Sequence, residues 1–174
     1  AEAAKRNNIY ILSDEIYGQL HHEGNHVSIA KYYPEGTIIS SGLSKWCGAG
    51  GWRLGIAHIP EAMGCEYLQR VVGVASETFS CVSTPVQYAA LAAYTLDDRV
   101  TGFLEKQRTI FSDIGQHSAA LLQGAGVRVR QPRGGFYLFP DFSPLADSLA
   151  ARGITTGVGL TEKLLADTGV ALLP

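Results

Sequence analysis

A short glycine-rich segment between two apolar runs constrains the fold most strongly. Residues 37–41 and 52–59 have the composition of β-strands, and Gly48, Gly50 and Gly51 lie between them. A parallel crossover connection needs a dozen or more residues, and this segment is shorter than that. The two runs are therefore predicted to be antiparallel neighbours in one sheet.

An earlier apolar run predicts where the polar side chains gather. Residues 8–12 are typical of a strand buried on both faces, and the run ends just before Asp14. If this strand is parallel to the strand 37–41, both end at the same edge of the sheet. The antiparallel third strand then begins at that edge. Asp14, Lys45 and Arg53 are thus expected at one edge, where open α/β sheets bind their ligands.

The rest of the chain alternates helical patterns with short apolar runs. The apolar spacing between residues 99 and 122 has a clear helical period, and Gly124 and Gly126 are natural terminators. Residues 21–26 are polar and predict an exposed loop. Further helices are predicted at 1–6, 60–75, 85–97, 144–151 and 160–168, and further strands at 127–129, 135–139 and 170–173.

Composition excludes several classes of protein. Lys plus Arg is 14 and Asp plus Glu is 16, so there is no basic excess to neutralise a nucleic-acid backbone. No apolar run approaches the roughly 20 residues of a membrane span. The three cysteines are odd in number and lack CxxC spacing, which disfavours a disulfide framework or a zinc site and suits a reducing cytoplasm.

The predicted edge carries the chemical groups that pyridoxal 5′-phosphate needs. A lysine amine can form a Schiff base with its aldehyde, provided that the amine is nucleophilic. A carboxylate keeps the ring nitrogen protonated, so that the ring can act as an electron sink. An arginine can bind the phosphate with two parallel hydrogen bonds. Lys45, Asp14 and Arg53 supply these groups.

The motifs that carry these residues resemble a known family. Residues 13–17 read Ser-Asp-Glu-Ile-Tyr, residues 41–45 read Ser-Gly-Leu-Ser-Lys, and residues 51–55 read Gly-Trp-Arg-Leu-Gly. In this order and spacing they resemble the fold-type I, class I/II aminotransferases. Residues 83–87 and 132–137 also resemble family segments, so the resemblance extends over the whole chain.

The resemblance implies a role for each site residue. Lys45 would hold the cofactor as an internal aldimine and, once substrate displaces it, move the proton between Cα and C4′. Asp14 would pair with the ring nitrogen, Tyr17 would donate its hydroxyl to the ring 3′-oxygen, and Arg53 would bind the phosphate. Many members carry serine three residues before the lysine as a further phosphate ligand, whereas this chain has Gly42 there. Ser41 or Ser44 is the expected substitute.

The resemblance also implies an α/β fold class and a domain division. Residues 1–98 would form the C-terminal part of the large domain that binds the cofactor, in a mostly parallel sheet with one antiparallel strand. Residues 99–126 would form a long interdomain helix, and residues 127–174 an incomplete small α+β domain. The chain is expected to be a fragment that is inactive and unstable alone. The whole protein would be a cytoplasmic homodimer acting on amino acids and 2-oxo acids.

Other interpretations of these residues remain open. The same motifs would serve a lyase or synthase of this fold, a non-catalytic regulator domain that binds the cofactor, or a remnant without activity. His21, His22 and His26 lie in a polar segment without a Cys or acidic partner at ligand spacing, so they are interpreted as surface residues. Cys47 is interpreted as structural. No metal site is predicted, and the glycines at 48–51 lack the Lys-Ser/Thr of a nucleotide-binding loop.

Overall fold

A computed structural model describes all residues of the chain, 1–174, in two units. Unit 1 comprises Ala1–Asp113 and Arg133–Gly135, and unit 2 comprises Ile114–Pro132 and Phe136–Pro174. The division falls within one long helix. The three-part domain division drawn from the sequence remains a prediction.

Unit 1 contains a three-stranded sheet in the order β1 (Ile11–Asp14), β2 (Thr37–Gly42) and β3 (Gly55–His58). β1 and β2 are parallel, and β2 and β3 are antiparallel. Both predicted strand relations are therefore confirmed. The turn between β2 and β3 is too short to return the chain to the opposite edge, and this fixes the antiparallel pairing.

β1 begins three residues later than predicted, at Ile11. The first helix, α1 (Glu2–Arg6), ends at Asn7, and Asn8 has a left-handed φ of 51°. The amide of Ile9 still donates to the carbonyl of Ala4 at 2.9 Å. These residues complete the helix C-terminus and cannot join a strand. Asp14 consequently is the last residue of β1, whereas the sequence placed it just beyond the strand.

β3 is also shorter than the predicted strand 52–59, because its first residues have other conformations. Gly50–Trp52 form a turn of 3₁₀ helix, and Arg53 follows with φ 55° and ψ 46°. A residue in this left-handed conformation cannot continue a β-ladder. The ladder therefore starts at Gly55.

The predicted helices of unit 1 are present with shifted ends. Gly64, at φ 85°, separates a 3₁₀ turn from the helix predicted at 60–75, and that helix extends to Thr78. The helices are α2 (Cys65–Thr78), α3 (Thr84–Tyr94) and α4 (Asp98–Gly124), with 3₁₀ turns at Gly18–Leu20, Ile29–Lys31, Pro34–Gly36 and Glu61–Met63. None of the helices in the chain has the length and hydrophobicity that crossing a membrane requires.

Unit 2 contains helices, and its predicted strands are absent. The helices are α5 (Ala146–Ala150) and α6 (Gly157–Thr168), preceded by a 3₁₀ turn at Ser143–Leu145. The predictions of strands at 127–129, 135–139 and 170–173 are wrong, since these segments contribute no more than a bridge between Arg128 and Asp141. The apolar alternation favoured strands, but no continuous backbone partner lies beside these segments, and Gly135 has a left-handed φ of 64° that interrupts one of them.

The prediction of an exposed loop over residues 21–26 is partly wrong. His21 forms an isolated antiparallel bridge with Gly134, and the Nε2 atom of His22 lies 3.1 Å from the carbonyl oxygen of Gly135. Both histidines are half-buried as a result, and His26 is exposed. The backbone bridge of His21 and the side-chain contact of His22 hold the loop against the segment 133–135, which the polar composition did not indicate.

The core of unit 1 includes residues of the turn that follows β2. It consists of buried apolar side chains of the turns after β1 and β2 and of two helices, namely Leu20, Leu43, Trp46, Leu54, Ala90 and Leu104. Half-buried Tyr17, Cys47 and Val86 pack against them. Burial of this cluster fixes the turn that carries Lys45.

Candidate active site

The topology places three predicted site residues at one edge of the sheet. Asp14 ends β1, opposite Ser40 of β2, and Gly42 at the end of β2 lies opposite Gly55 at the start of β3. Lys45 follows β2 by three residues, and Arg53 precedes β3 by two. All three therefore leave the sheet at the same edge, as the sequence predicted.

Asp14 and Tyr17 lie on a hydrogen-bonded turn. Oδ1 of Asp14 accepts a hydrogen bond from the amide of Ile16 at 3.2 Å, and the amide of Gly18 donates to the carbonyl of Glu15 at 2.9 Å. Asp14 is exposed, whereas Tyr17 is half-buried and packs on the core. The turn thus presents a carboxylate to solvent and fixes a phenol ring beside it.

The turn that carries Lys45 is anchored on both sides of the lysine. The amide of Leu43 donates to the carbonyl of Leu54 at 3.3 Å, and Leu43 and Trp46 are almost fully buried. Lys45 itself is half-buried, and its Nζ atom lies 5.7 Å from the centroid of the Tyr17 ring. The structure therefore brings Lys45 and Tyr17 together across the sheet edge.

Gly42 occupies a position without room for a side chain. A Cβ atom there would lie 2.6 Å from the carbonyl oxygen of Leu54 and 3.2 Å from the Cα atom of Gly55. The backbones of β2 and β3 approach closely at this point. This packing is a physical reason for glycine at the position where many members of the resembled family carry serine.

The two serines considered as substitutes differ in their surroundings. Ser41 lies in β2, and its side chain lies near the hydroxyl of Tyr94 on α3. Burial raises the pKa of Tyr94, and hydrogen bonds from Ser41 and Trp46 only partly oppose that effect. Ser44 is half-buried in the turn beside Lys45. Ser41 has a partner on the helix, so Ser44 is the more available hydroxyl.

Arg53 has a backbone conformation that is costly for a side chain larger than glycine. It has φ 55°, it is exposed, and its Nη1 atom donates to the carbonyl of Gly50 at 2.8 Å. A non-glycine residue in this backbone conformation destabilises the folded state by roughly 1–3 kcal/mol, and such residues cluster at functional sites. The hydrogen bond to Gly50 leaves further N–H donors of the guanidinium free to bind an anion.

Cys47, two residues after Lys45, has surroundings that disfavour its reactive thiolate form. Its side chain is half-buried against the core, and burial raises the pKa of the thiol. A raised pKa keeps the sulfur protonated at neutral pH, whereas the thiolate is the reactive form. The structure also contains no group of three or more His, Cys, Asp or Glu side chains arranged to hold a metal ion.

An apolar groove of unit 1, which the sequence did not predict, lies beside this edge. Its volume is about 880 Å³, and it is formed by β3 and one face of α3. Thr84, Gln87, Tyr88, Leu91 and Tyr94 follow one another at helical spacing along that face. This spacing is the signal that could have revealed it. None of Asp14, Tyr17, Lys45 and Arg53 lines the groove.

Comparison with known proteins identifies the family. The profile of the family described as Aminotransferase class I and II matches residues 1–174, the whole chain. The chain belongs to the class I and II aminotransferases. The α/β fold class expected from the sequence is confirmed, because the similar solved structures are fold-type I aminotransferases.

Two curated aminotransferases illustrate the similarity. A probable N-acetyl-LL-diaminopimelate aminotransferase of Bacillus subtilis (strain 168) is 34% identical over 100% of this chain and 40% of its own length. An aspartate/prephenate aminotransferase of Thermus thermophilus is 32% identical over 100% of this chain and 42% of its own length. The chain thus spans about two fifths of the length of these relatives.

Solved structures give the same result. A tetra mutant of Thermus thermophilus aspartate aminotransferase matches with a TM-score of 0.86 and 30% identity, over 99% of this chain and 44% of that one. An aromatic aminotransferase from Pyrococcus horikoshii OT3 matches with a TM-score of 0.83 and 27% identity, over 99% and 44% of the two chains. Nearly the entire chain therefore has the backbone fold of the matching part of these aminotransferases.

Proposed function

We propose that this chain is the part of a pyridoxal 5′-phosphate-dependent aminotransferase that carries the lysine, and that the whole protein transfers an amino group from an amino acid to a 2-oxo acid. The observation that carries the proposal is the 5.7 Å separation of Lys45 Nζ from the Tyr17 ring centroid, at the sheet edge shared with Asp14 and Arg53. The relatives named above are aminotransferases, and the family is generally dependent on this cofactor.

The donor set fits the cofactor group by group. Lys45 offers an amine for the aldehyde carbon, and Asp14 offers a carboxylate for the protonated ring nitrogen. Tyr17 offers a hydroxyl donor for the ring oxygen, and Arg53 offers a fork of N–H donors for the phosphate. When bound, pyridoxal phosphate supplies an electron sink for the bonds at the substrate Cα atom.

The residues of this chain have separate tasks in the proposed reaction. Lys45 binds the cofactor through Nζ and afterwards moves a proton at the Cα atom of the substrate as a general acid/base. The anchored turn around Leu43 and Trp46 holds the backbone of Lys45 in position, which reduces the entropy that the reaction must lose. Asp14 and Tyr17 orient the ring, and Arg53 with Ser44 binds the phosphate.

An absorption experiment tests the role of Lys45 in the full-length protein. With cofactor, the wild type should show the visible absorption band of lysine-bound pyridoxal phosphate, and Lys45→Ala should lack it. Lys31→Ala is the matched control, because Lys31 is exposed in a 3₁₀ turn. No band in the wild type, or the same band in Lys45→Ala, would refute the proposal.

The same protein distinguishes a transaminase from a lyase. A transaminase treated with its amino donor, without acceptor, should lose the band and release one equivalent of the matching 2-oxo acid. A lyase would continue to turn over and release ammonia or another fragment. We expect the first result, since the curated relatives are transaminases.

The oligomeric state and the cellular location belong to the same proposal. The resemblance of the motifs supports a homodimer in the cytoplasm for the whole protein. Light scattering of the purified full-length protein should give twice the mass of one chain. A monomeric mass with full activity would contradict the dimer.

A further inference from the structure

Glu15, between Asp14 and Tyr17, has a carboxylate that the proposed reaction does not use. Its side chain is only 11% exposed. One oxygen accepts hydrogen bonds from the hydroxyls of Ser13 at 3.1 Å and Ser28 at 2.6 Å, and the other lies 3.0 Å from Nε2 of His26. A carboxylate buried with three partners is costly to remove from its network.

The backbone of Glu15 is fixed as firmly as its side chain. Its amide donates to the carbonyl of Ser40 at 2.8 Å, which continues the β1–β2 pairing by one residue. Its carbonyl accepts from the amide of Gly18 at 2.9 Å. Glu15 therefore joins the strand to the turn that bears Asp14 and Tyr17.

The partners of Glu15 come from a different segment of unit 1. Ser28 also caps the 3₁₀ turn Ile29–Lys31, because its hydroxyl accepts from the amide of Ala30 at 3.1 Å. The ring of His26 packs on Gly18, where an added Cβ atom would lie 2.8 Å from its Cδ2 atom. The Glu15 network thus fastens both ends of the turn 14–18 to the segment 26–30.

The ionisation of Glu15 is consistent with this arrangement. Burial raises the pKa of its carboxyl, but the hydrogen bonds from Ser28, His26 and Ser13 outweigh burial, and the pKa is lowered. The group is therefore negative at neutral pH. Hydrogen bonds to a charged acceptor are shorter and stronger than neutral ones.

We propose that Glu15 is a positioning residue, which fixes the turn 14–18 so that the Asp14 carboxylate and the Tyr17 ring face the cofactor held by Lys45. The inference rests on the proposed function. Asp14 needs such support, because it is exposed and its carboxylate accepts a hydrogen bond from the amide of Ile16, within the turn itself. If the turn moves, both ligands of the ring move together.

The test uses the full-length protein and pyridoxal phosphate as the probe. In Glu15→Ala we expect the Kd for the cofactor to rise about 10- to 100-fold, which is the usual effect of removing a residue that orients a direct ligand. The pH midpoint of the bound cofactor's absorption should also shift by about 0.5 unit or more, since it reports the surroundings of the ring. In the protein without cofactor, the amides of Glu15 and Gly18 should exchange hydrogen faster.

Two further variants keep the test valid if Glu15→Ala folds poorly. Glu15→Gln keeps an oxygen for both serine hydroxyls and an amide that can donate to unprotonated His26, so it should stay within about threefold of wild type. Ser28→Ala removes the shortest bond and should weaken cofactor binding in the same direction as Glu15→Ala. Glu66→Gln is the matched control, since Glu66 is an exposed ion-pair partner on α2.

The outcomes separate the two proposals. A merely structural role for Glu15 predicts a lower melting temperature with unchanged Kd and pH midpoint in folded Glu15→Ala or Ser28→Ala, and that result would overturn the inference. A wild type without the absorption band would instead overturn the proposed function, and the positioning role with it.

Discussion

The turn between β2 and β3 has a rigid base and an open tip. At the base, Leu43 and Trp46 are buried and Gly42 has no room for a Cβ atom. At the tip, a Cβ atom added to Gly48 or Gly51 would have no neighbouring atom within 4 Å. Lys45 lies in the base, between Leu43 and Trp46, and Arg53 follows the tip. One short turn thus combines a packed base that carries Lys45 with an open tip that precedes Arg53.

The pair of tryptophans in this turn should show the largest effect. Trp46 is 2% exposed at the base and Trp52 is 55% exposed at the tip. We expect Trp46→Ala to lower the free energy of unfolding by about 3–5 kcal/mol, and Trp52→Ala by no more than about 0.5 kcal/mol. Urea denaturation of the full-length protein without cofactor measures both. Equal losses would abolish the distinction between base and tip.

The pair of glycines should show the next largest effect. Gly42→Ser forces an atom against the Leu54 carbonyl and should cost about 1–3 kcal/mol of stability. We also expect it to weaken cofactor binding, because the turn of Lys45 must shift. Gly51→Ser, at the open tip, should be near neutral. Tighter cofactor binding by Gly42→Ser would mean that the base accommodates a phosphate ligand after all.

Substitution of Arg53 tests whether the tip contributes more to cofactor binding than to folding. Arg53→Gly removes the left-handed strain and the guanidinium together, so stability should stay equal or rise by up to about 1 kcal/mol. Affinity for pyridoxal phosphate should fall about tenfold, which is about 1.4 kcal/mol. Isothermal titration with pyridoxal, which lacks the phosphate, is the control and should show no change. A similar loss for both compounds would contradict a phosphate role for Arg53.

Tyr94, whose ring lies against Trp46 with centroids 5.5 Å apart, should give the smallest effect. Burial raises its pKa above the ordinary value of 10.0, so the folded state favours the neutral phenol. Its contribution to stability is complete below pH 10 and is lost as pH rises through the folded pKa. Because Tyr94 is 36% exposed, solvent screening should keep the loss below about 1 kcal/mol.

Comparison of Tyr94→Phe with wild type by urea denaturation between pH 8 and 11 would measure that contribution. The variant should lose less stability than the wild type above pH 10. Identical profiles would show that the phenol is as well solvated in the folded protein as in the unfolded chain.

Local sequence was sufficient for the order and direction of the three strands and for the edge at which the candidate site residues lie. The link between β2 and β3 is too short for a crossover, so the antiparallel pairing follows from chain length alone. Asp14, Lys45 and Arg53 lie within three residues of a strand end, so topology determines their edge. Their proposed roles came from contiguous motifs and need no knowledge of distant contacts.

Distant contacts account for what the sequence did not reveal. Gly134 and Gly135 pair with Leu20 and His21, and an apolar run at 135–139 does not indicate such a partner. The contact between Gly42 and Leu54, and that between Glu15 and Ser28, likewise join residues whose proximity is created by folding. Spacing and composition describe one segment at a time, and these features belong to two.

The central claim is that Lys45 is the residue that binds the cofactor, and chemical trapping tests it most directly. The full-length protein with pyridoxal phosphate would be reduced with borohydride, digested and mapped by mass spectrometry. We predict the phosphopyridoxyl mass on the peptide containing Lys45, at near-stoichiometric yield, and on no other peptide. The label on Lys31, Lys106 or Lys163 in place of Lys45, or no label at all, would contradict the account.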